Sequence, residues 1–329
     1  MYGQVYLQKR KCRRKFSKMG CGLAVIAAIF LVGARLEARV FPDHPVQLIV
    51  PYAAGAGVDL VARSIQPYAE EALGAPLIIG NVPGADSRIG MTRIYKAKAD
   101  GYTIGLQSLN APVIQEQLFD VPYKALNFSF IYAWTMSPMI LFAPENGWKS
   151  FEEFLLEARK RPLTLGLPGF GTVVHLLALT MEKHLNVKFK FVAFDGSGQG
   201  FTALAGNHID ANIGGSDAAL GLVRAKKVRP MLIWSFRPDA NFPEVPLSIK
   251  YSLPTIVLTR GVFGPPGIPP ERIRVLEKAF SRAAAAPKLV EWAKSRGMEL
   301  IALDAKQCRQ EVEKQQILVG EYKDLLRSR

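Results

Sequence analysis

Residues 41–65 read FPDHPVQLIVPYAAGAGVDLVARSI. Val46-Gln47-Leu48-Ile49-Val50 is a short, mostly apolar run of strand character. Ala53-Ala54-Gly55-Ala56-Gly57 lets the backbone turn sharply and approach a ligand closely. Asp59 then opens a helical pattern in which Val61, Ile65, Ala69 and Leu73 recur on one face, with Gly74 as its stop. Pro67 inside that pattern is expected to kink the helix or cost it a hydrogen bond. A strand feeding a glycine turn and then a helix N-terminus gathers free backbone N–H groups at one spot, and that spot favours an anion.

The pattern repeats outward from there. Leu77 to Ile79 reads as a strand, Asn81 to Arg88 as a turn-rich loop, Met91 to Ala97 as a helix and Tyr102 to Leu106 as a third strand. This βαβαβ order predicts a parallel sheet with covering helices. A second series starts at Ser150, which caps a helix through Phe151 and Ala158. Strand 163–167 meets Pro168-Gly169-Phe170-Gly171-Thr172 and a helix over 173–183; strand 189–194 meets Asp195-Gly196-Ser197-Gly198 and another helix. Further strands are expected over 209–213 and 228–234, then helices opened by Pro269-Pro270, Pro287 and Asp304. Ligands of open α/β sheets bind beyond the carboxyl ends of the strands, so two such halves facing each other make a cleft.

Composition narrows the setting. The chain has 329 residues and a formal charge of +14. Residues 1–38 hold eight Lys/Arg against one acid, so that segment carries +7 and the remainder +7. Lys9 to Lys18 is a basic stretch, Gly22 to Ala34 an apolar one, and Val32-Gly33-Ala34 or Leu36-Glu37-Ala38 a cleavage site, the three parts of an export signal. The apolar stretch is shorter than the about 20 residues of a membrane span. Arg13-Arg14-Lys15-Phe16-Ser17-Lys18 also fits a twin-arginine signal, so the route is Sec or twin-arginine, and the location expected is the periplasm. The body that remains has no Lys/Arg-rich arm, which argues against nucleic acid, and its mild positive charge suits acidic ligands. Of Cys12, Cys21 and Cys308 only the last lies beyond the signal, which excludes an internal disulfide or a cysteine zinc cluster.

Sharper chemistries fail on spacing. Gly55-x-Gly57 lacks the third glycine of a dinucleotide fingerprint, having Leu60 there, and no Lys-Ser/Thr pair follows as in a phosphate loop. His44, His175, His184 and His208 are scattered, without metal-ligand spacing, so no metal or cofactor is expected. An exported hydrolase using Ser197, His175 and Asp195 is the rival reading, but no nucleophile elbow surrounds Ser197.

Six motifs in order resemble the tripartite tricarboxylate transporter substrate-binding family, the Bug family of periplasmic solute receptors. They are Pro42-Asp43 through Asp59; Asn81-x-Pro-Gly-Ala85 through Ile89-Gly90; Asp100-Gly101-Tyr102-Thr103; Gly169-x-Gly171-Thr172-x-x-His175; Gly196 with Gly206 and Asp210; and Phe263-Gly264-Pro265-Pro266-Gly267-Ile268-Pro269. The resemblance implies an α/β, type II periplasmic-binding-protein fold with a ligand cleft between two α/β lobes, lobe one over 41–142 plus 262–329 and lobe two over 143–261. It implies a receptor without chemistry of its own, monomeric, that passes a small organic acid to membrane transporter subunits or reports it to a sensor kinase. Carried over residue by residue, the first lobe would contact ligand through Ala53, Ala54, Gly55, Ala56, Gly57, Asp59, Gly84, Ala85, Asp86, Ser87 and Ser108. The second would use Gly169, Phe170, Gly171, Thr172, Gly196 and Ser197. Asp86-Ser87-Arg88 departs from the family's usual Gly-Gly-Asn. An aspartate beside an anion site repels a carboxylate unless paired, and Arg88 is the partner within reach in sequence.

Overall fold

The computed structural model describes residues 41–194 and 197–327. The export signal read over 1–38 and the Gly196 contact lie outside the described residues, as does Asp195.

The opening strand, β1 (Val46–Val50), is buried at every residue but Gln47. Its neighbours are β2 (Leu77–Asn81) and β3 (Thr103–Ser108), both parallel to it, with Val46 opposite Leu77 and Leu48 opposite Ile104. The alternation of helix and strand in this stretch produces that arrangement, because a crossover helix returns the chain to the same sheet edge. Three antiparallel strands extend the sheet: β4 (Ser129–Ser137), β10 (Leu258–Gly264) and β11 (Glu299–Leu303), in the order β11-β4-β10-β3-β1-β2. The second sheet has a parallel core of β6 (Leu163–Leu167), β7 (Phe189–Ala193) and β8 (Ala211–Gly215). Strand β5 (Met139–Pro144) lies antiparallel to β8 on one side and to β9 (Val228–Trp234) on the other, giving the order β7-β6-β8-β5-β9. Each sheet with its helices is one α/β lobe.

The chain changes sheets at Pro138, between β4 and β5, and returns between Trp234 and Leu258. The changeovers expected at 142/143 and 261/262 fall inside β5 and β10. Pro138 is the one local mark of the first crossing, since its ring nitrogen has no proton to give a ladder. Around it, 129–144 is a nearly unbroken buried run, and a run buried on both faces has no alternation to interrupt. The helix over Ala111–Leu118 and strand β11 also fall outside the elements expected from the sequence.

Helix α1 (Gly57–Leu73) starts two residues earlier than expected and continues through Pro67, closing at Gly74, whose φ of 68° and bond from its N–H to Glu70 O (2.9 Å) end it. Its buried face, Val61, Ile65, Ala69 and Leu73, is the face the spacing predicts. Cores form on both sheets: Trp134 stacks on Phe280 at 6.0 Å in the first, and Phe142 meets Phe201 edge-on at 5.2 Å in the second. No described helix is long and apolar enough to cross a membrane.

Candidate functional site

The parallel strands of the first sheet end, side by side, at three of the expected contact segments. Beyond β1, residues 53–55 are exposed and Gly55 turns the chain at φ 84°. Helix α1 begins there with Ala56 as its N-cap, and no side chain caps it. The first N–H groups of a helix, here those of Gly57 and Val58, have no acceptor within it. Asp59 does not share that task. It is 1% exposed, and both carboxylate oxygens are committed: Oδ2 accepts from Gly55 N (2.8 Å) and Arg63 Nε (2.9 Å), and Oδ1 from Asn81 Nδ2 (2.9 Å). Asn81 Nδ2 also donates to Tyr52 O. Burial alone would push the Asp59 carboxyl up, but the bonds from Arg63, Gly55 and Asn81 outweigh it and hold it below its ordinary value. Asp59 therefore positions the glycine turn from beneath.

Beyond β2, Gly84, Ala85, Asp86 and Ser87 all take positive φ, at 122°, 47°, 50° and 71°. Three of these carry side chains, a conformation costing about 1–2 kcal/mol per residue outside glycine. It is held from within the fold: Gln115 Nε2 donates to Asp86 O (2.7 Å) and Ser87 Oγ (3.0 Å), and Tyr123 OH donates to Gln115 Oε1 (2.6 Å). Burial pushes the Tyr123 hydroxyl far above its ordinary value, so it stays a donor. Arg88 is not the partner of Asp86. Its Nε donates to Ala85 O (2.8 Å) and its guanidinium lies on the Phe119 ring, 3.7 Å from the centroid. Beyond β3, Ser108 is buried, and next to it Gln107 Nε2 and Asn110 Oδ1 are buried without a hydrogen-bond partner among the described residues.

In the second lobe the segment after β6 turns at Gly169 (φ 132°) and Gly171 (φ 70°) into helix α2 (Val173–Leu185). This helix is capped. Thr172 Oγ1 accepts from His175 N (3.3 Å) and donates to Gly169 O (2.9 Å), while His175 Nδ1 accepts from Gly171 N (3.2 Å). His175 is buried with Phe170 and Phe191 edge-on to its ring. Its Nδ1 is thus occupied in shaping the turn. Ser197 opens the next helix, Ser197–Ala205.

The two sets of loops meet. A Cβ placed on Gly169 would stand 2.7 Å from Asp86 Oδ1, and one on Gly171 would stand 2.9 Å from the Phe119 ring and 3.0 Å from Leu118. Gly57 faces Asp217, at 4.0 Å by the same measure. Sequence reading missed Asp217 and its partner Arg260. The Arg260 guanidinium, on β10, reaches Asp217 Oδ2 at 3.2 Å and Ser137 Oγ at 2.8 Å, with the two charged side chains 6% and 8% exposed. Two residues 43 positions apart leave no pattern in a sequence. Ser216 Oγ adds a second tie between lobes, to Gly297 O at 2.9 Å.

Comparison with known proteins agrees with this fold. The profile of the family described as "Tripartite tricarboxylate transporter family receptor" matches residues 61–321. A protein encoded in the tcbD–tcbE intergenic region of Pseudomonas sp. strain P51 is 30% identical over 300 residues, 88% of this chain and 89% of that one. Among solved structures, the periplasmic binding protein BugD superposes with a TM-score of 0.79 at 24% identity, over 87% of this chain and 98% of that one. MatC of Rhodopseudomonas palustris, solved with bound malate, gives 0.76 at 27% identity, over 87% and 100%.

Proposed function

This chain belongs to the tripartite tricarboxylate transporter receptor family, and we propose that it captures a small organic carboxylate outside the cytoplasm and delivers it to a transporter of that kind. The family is one of solute-binding receptors and not of enzymes. The observation that carries the ligand class is the uncapped start of α1, where Gly57 and Val58 offer backbone N–H groups beside the exposed 53–55 turn. Such a helix end attracts an anion through its free donors and its dipole together. That MatC holds malate at 27% identity supports the same class.

Capture would proceed by closure. We take the first lobe as the β1–β4 and β10–β11 segments and the second as β5–β9, hinged where the chain crosses at Pro138 and between Trp234 and Leu258. In the open form the N–H groups at α1 take the carboxylate. Closing then brings Gly169–Thr172 over it and excludes water, which strengthens each charge-assisted hydrogen bond. Glycine is required where the lobes touch, since a side chain on Gly171 would collide with Phe119.

Thermal unfolding of the purified chain against mono-, di- and tricarboxylates, malate first, tests the reading. A ligand at 100 times its dissociation constant adds about 2.7 kcal/mol. A rise with organic acids is expected. A rise only with sugars or nucleotides would overturn the carboxylate assignment.

A further inference from the structure

We propose that the first lobe carries a second anion site, at the end of its sheet away from the cleft, which takes a phosphate group through Arg93, Lys96 and Lys98. The site goes beyond the receptor reading and does not depend on it.

Asp100-Gly101-Tyr102-Thr103 is a sequence motif that the cleft leaves unused. It lies at the N-terminal end of β3, whose C-terminal end holds Ser108. The five residues of β1 run between the same two places, a length of about 16 Å. At the motif's end a cavity of about 410 Å³ opens. Its floor is the sheet itself: Gln47 and Thr103 stand opposite each other in register, and Ile49 follows on the same face. The floor is bare because the helix above it, Arg88–Tyr95, has only eight residues. That helix sits over the C-terminal halves of the strands, where Gly90 meets Pro51 and Gly105 meets Ile94. It ends before the Gln47–Thr103 row.

The rim is cationic. Arg93, Lys96 and Lys98 are exposed and line the cavity, and none has an acidic partner among the described residues. Cations at a helix C-terminus complement its dipole. That accounts for Arg93 and Lys96 and leaves Lys98, which lies past the helix end, without a role. The one acid in the lining, Asp100, shapes the turn: its Oδ1 accepts from Tyr102 N (3.0 Å), and its backbone O accepts from Arg272 Nη1. His44 stacks on the Tyr102 ring at 3.6 Å and steadies the opposite wall. Other exposed cations of this chain do pair, Arg161 with Glu157 and Asp210, and Arg282 with Glu71. Three unpaired cations around one hollow suit an anion whose oxygens point in several directions, which a tetrahedral phosphate offers and a planar carboxylate does not. A soluble phosphate ester and a phospholipid headgroup both present that group.

Two probes test the site on the purified chain and separate these sources: sn-glycerol 3-phosphate by calorimetric titration, and sedimentation with phosphatidylglycerol against phosphatidylcholine vesicles. Binding of the first marks a soluble ester, and preference for phosphatidylglycerol marks a headgroup; at least one is expected. The triple variant Arg93→Gln, Lys96→Gln, Lys98→Gln should weaken that binding about tenfold or more, with the melting temperature and any thermal shift with malate unmoved. A second triple, Lys278→Gln, Lys288→Gln, Lys294→Gln, removes the same charge from exposed positions outside the cavity lining. Remote charges are screened at about 0.15 M salt, so it should change binding by less than about twofold. No binding of either probe by the natural chain, or equal loss in both triples, would overturn the site. Binding kept in full by the first triple would overturn it too, by placing the phosphate elsewhere. The receptor reading is decided separately, by the carboxylate series.

Discussion

The two glycine turns after β1 and after β6 share a plan and differ at one position. Each follows a parallel strand, uses glycine at positive φ and leads into a helix. After β6 the N-cap is Thr172, whose hydroxyl takes the His175 N–H, and the imidazole takes the Gly171 N–H. After β1 the N-cap is Ala56, whose side chain takes nothing, and the acid three residues on, Asp59, reaches back to Gly55 instead of into the cleft. The difference is one donor: the third N–H of the helix is taken by the cap side chain after β6 and by no cap side chain after β1. The proposed anion site is the turn whose N-cap side chain leaves the helix end open.

That contrast can be broken most severely by separating the jaws. Arg260→Ala leaves the Asp217 carboxylate buried without its partner, and loss of one member of a buried ion pair costs about 3–5 kcal/mol. Denaturant unfolding should show this loss, and carboxylate affinity should fall with it. A loss under about 0.5 kcal/mol, the range of an ordinary surface change, would mean the pair is not what joins the lobes.

Gly171→Ala is next. Alanine at φ 70° is strained by about 1–2 kcal/mol, and its Cβ would collide with the Phe119 ring across the cleft. Weaker ligand binding is expected along with the lower melting temperature, because the collision arises only when the loops meet. A variant with full affinity would show that closure does not need this contact.

Exchanging the caps sharpens the comparison itself. Ala56→Asp gives α1 the cap it lacks and should stabilise the chain by about 1 kcal/mol while abolishing carboxylate binding, since the new side chain occupies the N–H groups. Thr172→Ala should cost about 1 kcal/mol in stability with a much smaller effect on affinity. If Ala56→Asp binds malate or another responding acid as before, the open helix end is not the anion site.

The smallest effect is a pH dependence. The Asp59 carboxyl titrates below its ordinary 3.8 in the folded chain. Its contribution to stability is complete above that value and is lost as pH falls from there through the folded pKa. Asp59→Asn should remove that part of the acid limb from a plot of melting temperature against pH. An acid limb identical in both proteins would mean the Asp59 network contributes nothing to it.

Legibility followed range. Strands Val46–Val50, Leu163–Leu167 and Val228–Trp234, the caps at Ser150 and Asp304, and the stop at Gly74 all rest on neighbours within a few residues, and all appear as read. The same locality failed where the chain runs from β4 into β5. Ser129 to Pro144 is buried nearly throughout, and Pro138 alone interrupts it, a mark that a bend within one sheet would share. It failed at the site too. By position Asp59 reads as a helix-start cap or a ligand contact, and in the fold Gly55, Arg63 and Asn81 occupy it. By spacing Arg88 reads as the partner of Asp86, and in the fold Phe119 holds it.

The sequence by itself determined the two α/β series, the family and the glycines of the strand-to-helix turns. These follow from periodicity, turn chemistry and motif order, which are properties of adjacent residues. Only the tertiary structure decided which helix end has no side-chain cap, which carboxylates are already partnered and which loops meet across the lobes. Those depend on Gln115 under Ser87, Arg260 beside Asp217 and Asp86 against Gly169, contacts between residues 28, 43 and 83 positions apart. Burial and hydrogen bonding across such distances exist only once the sheets have brought the loops together.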